Sequence, residues 1–145
     1  MLFRSVLPST YTLFHICRWT GGSNARILNG YTTNWLSGFW NNNTAVAYHN
    51  GWIGNSGGGA PVSYGTNFFI STDQNTLYRS NGVARSSGNQ GTPSYDRLCI
   101  NTGVNVELSN FQIMEVIVYN TSLSTSQMTQ VEAYLSARYG ITLGV

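Results

Sequence analysis

The sequence predicts an all-β fold, a sandwich closed by one short C-terminal helix. Two observations carry that prediction. Most of the 145 residues read as short runs rich in β-branched and aromatic side chains, cut at close spacing by Asn, Gly, Ser and Asp turns. Helical periodicity occurs only once, near the C-terminus. About nine strands followed by one helix leave a two-sheet sandwich with an accessory helix.

Residues 1–8 hold Leu2, Phe3, Val6 and Leu7 around Arg4; this apolar run is too short for a signal peptide and reads as a first strand. Residues 10–19 form the next strand, stopped by Thr20-Gly21-Gly22-Ser23-Asn24. Residues 25–28 make a short strand closed by Asn29-Gly30. Residues 35–40 and 44–49 flank Asn41-Asn42-Asn43, which suits a three-residue hairpin loop. Asn50-Gly51 supplies the positive φ angles of a tight turn before Trp52-Ile53. Residues 54–59 are a Gly-rich loop.

Residues 67–71 and 76–79 read as a hairpin around Asp73-Gln74-Asn75, and Ser80-Asn81-Gly82 turns into a strand at 83–85. A polar loop over 86–94 precedes a strand at 97–101. Residues 111–119 give the strongest strand pattern. Phe111, Ile113, Ile117 and Tyr119 share one parity and Val116 and Val118 the other, which predicts a central strand covered on both faces. Ser124-Thr125-Ser126-Gln127 is a capping box, Met128, Val131, Leu135 and Tyr139 follow at helical spacing, and Gly140 stands at the stop.

Composition narrows the function. Charged residues make up only 8% of the chain, against about a quarter in ordinary soluble domains. Gly, Ser, Asn and Thr take their place, lysine is absent, and the net charge is +2. So weak and scattered a charge is no nucleic-acid footprint. No apolar run approaches the ~18 residues of a membrane span, so no membrane insertion is expected. The 13% aromatic content argues against disorder. Length predicts a single domain spanning residues 1–145. Cys17 and Cys99 each sit in an apolar run and read as buried thiols, although one bridge between them stays open.

The C-terminal residues carry a resemblance. Phe111-x-Ile113-x-Glu115-Val116-x-Val118-Tyr119-Asn120-x-x-Leu123-Ser124, then Val131-Glu132-x-Tyr134-Leu135 and Tyr139-Gly140-Ile141, resemble the closing strand and helix of laminin-G-like domains in the concanavalin A-like lectin/glucanase superfamily. Leu77-Tyr78 followed by Asn81-Gly82-Val83 is similar to a hairpin of that family. The resemblance covers the last half of the chain. It implies a jelly-roll sandwich of two antiparallel sheets that binds glycans or proteins, on an extracellular or virion surface. The family commonly has a further strand ahead of the position of Tyr11, which fits one module of a longer polypeptide.

Candidate chemistry is sparse. A retaining glycosidase needs two carboxylates about 5 Å apart, whereas Asp73, Asp96, Glu107, Glu115 and Glu132 include no two at a spacing of two or four. No enzyme activity is therefore expected. Glu115 reads as a structural partner, and His15, inside an apolar strand, as a core residue. The scattered Cys and His show no zinc-ligand spacing. Calcium has only Asp73, beside Gln74 and Asn75, as a candidate ligand, and an Asx-turn is the favoured reading there. No cofactor is expected.

Residues 35–52 concentrate aromatic rings among asparagines. Sugars offer apolar C–H faces to rings and hydroxyls to amides, which both donate and accept. Trp40, Asn42, Tyr48, His49, Asn50 and Trp52 are thus the candidate glycan site. Two functions suit this neutral surface: a non-catalytic lectin-like module attaching to a glycosylated surface, or a head domain of a viral or extracellular fibre that self-associates as a homo-oligomer. Exposure of Trp40, Tyr48 and Trp52 in a groove would favour the first.

Overall fold

The computed structural model describes residues 2–54, 62–85 and 96–145. Among these, β1 (Leu2–Val6), β10 (Arg97–Ile100), β3 (Leu28–Gly30), β4 (Trp35–Trp40), β5 (Asn43–His49) and β6 (Trp52–Gly54) form a six-stranded sheet in that order. The second sheet has five strands, ordered β11 (Phe111–Tyr119), β2 (Thr12–Trp19), β7 (Phe69–Gln74), β8 (Leu77–Ser80) and β9 (Val83–Ala84). Every pairing is antiparallel. Helix α1 (Thr125–Tyr139) follows β11.

Alternation along β2 explains the layering. Its odd positions, Leu13, Cys17 and Trp19, enter the core between the sheets, where Trp35, Phe39, Ala47, Phe69 and Leu98 also pack. Its even positions, Phe14 and Ile16, face the other way and join Ile70 with Met128 and Leu135 of α1. A strand buried on both faces reads as a continuous apolar run, and β2 has only Arg18 outside the buried class. Burying one such aliphatic or aromatic side chain contributes ~1.5–3 kcal/mol.

Helix α1 is fastened at both ends as its sequence predicts. The Ser124 hydroxyl accepts from the Gln127 amide, and Gln127 Oε1 accepts from the Ser124 amide at 2.9 Å. Gly140 adopts the left-handed conformation at the C-terminus (φ 66°). Between these ends Glu132 is fully buried, receiving Arg79 Nε and Nη2 at 2.8 Å each and the Thr72 hydroxyl at 2.7 Å.

Several expectations change. The strand expected at 25–28 begins at Leu28, because the Arg26 amide bonds to the Glu107 carbonyl in place of a neighbouring strand. The hairpin after Trp40 turns on two residues: Asn41 and Asn42 take φ of 45° and 65°, a pair suited to right-twisted strands, and Asn43 already belongs to β5. β7 continues through Asp73 and Gln74, so Asp73 lies in a strand and not in a loop. The Asn81-Gly82 turn stands as expected, with φ of 45° and 79°.

β11 is an edge strand, not a central one. Its two-sided apolar pattern comes from a register shift between Ile113 and Glu115. An extra residue in one strand reverses the side-chain parity beyond it. Phe111, Ile113 and Val116 accordingly pack on the inter-sheet core, and Ile117 on the helix side. Cys17 and Cys99 are both buried and free. The loop expected at 54–59 falls, beyond Gly54, outside the described residues, as does the loop at 86–94.

Candidate functional site

The outer face of the six-stranded sheet carries a cleft. In β4 Trp35 and Phe39 enter the core, which turns Leu36 and Trp40 outward. Leu36 pairs with Tyr48 of β5, and Tyr48 with Trp52 of β6, so the three form a cross-strand row. The Tyr48 and Trp52 rings meet edge-on with centroids 5.1 Å apart, and Trp40 meets Trp52 at the same distance. Trp40, Tyr48 and Trp52 all stay partly exposed.

A polar wall faces this row. The segment 101–110, between β10 and β11, is stitched to residues 23–30 by backbone and side-chain bonds. The Val104 amide donates to the Gly30 carbonyl at 3.1 Å, Asn29 Nδ2 to the Asn105 carbonyl at 3.2 Å, and the Asn110 amide to the Ser23 carbonyl at 3.0 Å. Gly103 permits the close approach: its φ is 130°, and a Cβ there would collide with the Gly30 carbonyl oxygen.

This packing brings Asn105 and Glu107 over Arg26. Arg26 is 5% exposed. Its Nε donates to Glu107, and Nη1 donates to Asn29 at 3.1 Å and Asn34 at 2.8 Å. The Asn105 amide stands within 3.2 Å of Nη2, and its oxygen accepts from the guanidinium when turned toward it. Aromatic row and polar wall enclose about 380 Å³.

Of the residues proposed from sequence, the structure brings Trp40, Tyr48 and Trp52 together in this cleft. Asn42 and Asn50 are exposed at the two turns and do not line it. His49 is a correction. It is 1% exposed, because the residue after outward-facing Tyr48 must point inward. There its ring stacks on Trp35 at 5.5 Å, Nε2 lies 3.0 Å from Asp73 Oδ1, and Nδ1 lies 3.1 Å from the Asn75 carbonyl.

Asp73 is a second correction. It is fully buried and accepts from Tyr11 at 3.1 Å, so its oxygens serve the core and not a surface cation. No cluster of three or more acidic, His or Cys side chains suited to a metal occurs among the described residues. Burial pushes the His49 pKa down, but the Asp73 charge and the bonds to Asp73 and Asn75 carry it above its ordinary value. His15, in the same interior, is lowered to about 4 by burial, against a smaller opposing effect of Asp73. Its Nε2 meets the Ser37 hydroxyl at 3.1 Å.

Sequence reasoning missed Arg26, Asn34, Asn105 and Glu107. No local periodicity links residues about eighty positions apart. The available signal was residues 101–110 themselves, polar and Gly-containing yet too long for a turn.

The five acids are chemically accounted for. Asp73 and Glu132 are buried in partnerships, and Asp96 accepts the amides of Thr32, Thr33 and Arg97. Glu115 accepts the Tyr139 hydroxyl at 2.8 Å, as expected of a structural partner. Glu107 alone lines the cleft. The arrangement offers ring faces, amides, a guanidinium and one carboxylate.

No protein-family model matches the chain, and no curated protein matches its sequence. Solved structures do. Trypanosoma rangeli sialidase in complex with 2,3-difluorosialic acid, a covalent intermediate, superposes with a TM-score of 0.61 at 14% identity, over 92% of this chain and 24% of that chain. The same sialidase with the inhibitor DANA gives 0.54 at 14% identity with the same coverages. A further structure of that sialidase gives 0.53 at 13% identity, again over 92% and 24%. The chain thus spans about a quarter of the sialidase, and at such identity the likeness is one of fold. An all-β sandwich agrees in outline with a concanavalin A-like architecture.

Proposed function

We propose that the cleft over the six-stranded sheet binds carbohydrate and that the chain is a non-catalytic, lectin-like module for attachment to a glycan-bearing surface. The observation that carries this reading is the pairing of Trp40, Tyr48 and Trp52 with Arg26, Asn34, Asn105 and Glu107 across one recess. Rings of this kind stack on sugar C–H faces at low entropic cost, while amides match hydroxyls that are both donors and acceptors. A concave recess of a few hundred Å³ with aromatic walls and convergent polar groups is a usual form of a small-ligand site. Here four polar or charged side chains face four apolar or aromatic ones. The sialidase likeness supports a glycan-related role, since the matching quarter of that enzyme shares this fold.

The non-catalytic reading rests on the acids, because a lone Glu107 provides no partner carboxylate for glycosidase chemistry. We read the chain as laminin-G-like from its closing strand and helix, and as an extracellular or virion-surface module because glycans are displayed there. A glycan array followed by calorimetry tests the proposal. Wild-type chain should bind at least one glycan and hydrolyse none, and Trp52→Ala should weaken binding about tenfold or more, ~1.4 kcal/mol. Absence of binding across the array, or undiminished binding by Trp52→Ala, would refute it.

One observation favours self-association as a second reading. Edge strand β11 leaves Met114 and Val118 each 43% exposed beside an apolar recess lined by Phe111, Ile113 and Val116. A second copy of the chain is the occupant this edge suits. Sedimentation of wild type and Met114→Lys decides it: a dimer or trimer lost in the variant supports assembly, and a monomer throughout excludes it.

A further inference from the structure

The cleft does not stop at Trp40. A second recess of about 390 Å³ adjoins it, lined by Ser23, Asn41, Val106 and Leu108, and Trp40 and Glu107 serve as walls of both. Each recess falls within the ~300–1,000 Å³ typical of small-molecule sites. A ligand lying over Trp40 therefore has room to continue.

The second recess repeats the pattern of the first. Val106 is 83% exposed and Leu108 45%, yet the segment carrying them is held by the bonds of Asn105, Glu107 and Asn110 to residues 23–30. Ser23 and Asn41 supply a hydroxyl and an amide alongside. The Ser23 hydroxyl donates to the Leu108 carbonyl at 2.6 Å, which leaves its oxygen free to accept from a ligand hydroxyl.

Charge restricts what can enter. Among the described residues, Arg26 and Glu107 are the only charged side chains lining either recess. Arg26 is nearly buried, its Nε is taken by Glu107 and its Nη1 by Asn29 and Asn34, and Asn105 stands beside Nη2. The Glu107 side chain is 44% exposed. An entering ligand meets a half-exposed carboxylate, and the cation beside it among the described residues is already paired with that carboxylate.

Resting on the carbohydrate reading of the first recess, we infer that the two recesses form one groove for a linear, uncharged oligosaccharide, with Trp40 shared between adjacent units. The half-exposed carboxylate of Glu107 repels an acidic group, so sialylated or uronic-acid sugars should bind more weakly than neutral ones.

Calorimetric titration with neutral gluco-, chito- and lactosamine-type oligosaccharides of one to four units, each beside an acidic counterpart, tests the inference. Affinity should rise about tenfold from one unit to three and fall about tenfold when an acidic sugar is added. Val106→Asp, at an exposed position where folding is checked by circular dichroism, should cancel the gain with length. Glu107→Gln should narrow the gap between neutral and acidic ligands. Affinity independent of length, or acidic ligands bound as tightly as neutral ones, would overturn the inference while leaving the carbohydrate reading standing. Failure of every sugar to bind would overturn both.

Discussion

The outer face of the five-stranded sheet lies under α1, where Phe14, Ile16 and Ile70 pack on Met128 and Leu135. The outer face of the six-stranded sheet instead presents Trp40, Tyr48 and Trp52, partly exposed beside a polar segment. Both faces arise from the same alternation of apolar side chains, and each carries an Arg–Glu pair. Both arginines are nearly buried, but Glu132 is enclosed with Arg79 on the helix side, whereas Glu107 stands half-exposed over Arg26 at the edge of the cleft. What separates the two faces is the cover: α1 packs over the apolar and ionic groups of one, while the aromatic rings and the carboxylate of the other stay partly exposed.

The comparison is sharpest at the two ion pairs. Glu132→Ala strands Arg79 in the interior and should cost ~3–5 kcal/mol in urea unfolding. Glu107→Ala removes a half-exposed carboxylate while Arg26 keeps its amide partners, and should cost about 1 kcal/mol. Equal costs would break the distinction between the faces.

The interior between the faces should respond to pH in both directions. His15 has a folded pKa of about 4, below its ordinary 6.5, so its contribution is complete above pH 6.5 and lost as pH falls toward 4. The loss amounts to roughly 3 kcal/mol. His49 is raised, so its contribution is complete below pH 6.5 and lost as pH rises through its folded value. Stability should peak near pH 6.5. Asp96 is held below its ordinary 3.8: burial raises it, but the amides of Thr33, Thr32 and Arg97 outweigh that, so its loss begins only around that value. Unfolding curves from pH 4 to 8 check this, and His15→Leu should remove most of the decline between 6.5 and 4.

Smaller effects are expected at Trp52 in the cleft and at Ser124, which caps the helix. Trp52→Ala loses edge contacts with Trp40 and Tyr48 and should cost about 1–2 kcal/mol of stability. Ser124→Ala uncaps the covering helix and should cost ~1 kcal/mol without altering the cleft. Thermal melts of both variants, read beside their sugar affinities, should separate a residue that serves the ligand from one that serves the cover.

Much of the fold is legible in the sequence because turns and caps are local. Asn81-Gly82 and Ser124 to Gln127 act within a few residues of themselves, and the structure forms them as expected. Pairing order is not local. Nothing in Phe111 to Tyr119 distinguishes an edge strand with a bulge from a central one covered twice, since both make either parity apolar. The site divides along the same line. Trp40, Tyr48 and Trp52 lie on three neighbouring strands joined by short turns, and the sequence shows them together. His49 fails because adjacent strand residues face opposite sides. Arg26 meets Asn105 and Glu107 only through the tertiary fold.

The chain has four tryptophans, and the structure divides them evenly: Trp19 and Trp35 are buried in the core, and Trp40 and Trp52 line the cleft. Indole N–H resonances in a ¹⁵N-correlated spectrum, followed during titration with a neutral trisaccharide that binds, show directly which tryptophans meet the ligand. The Trp40 and Trp52 signals should move and saturate together while Trp19 and Trp35 stay in place. Stationary Trp40 and Trp52 signals at saturating sugar would contradict the account.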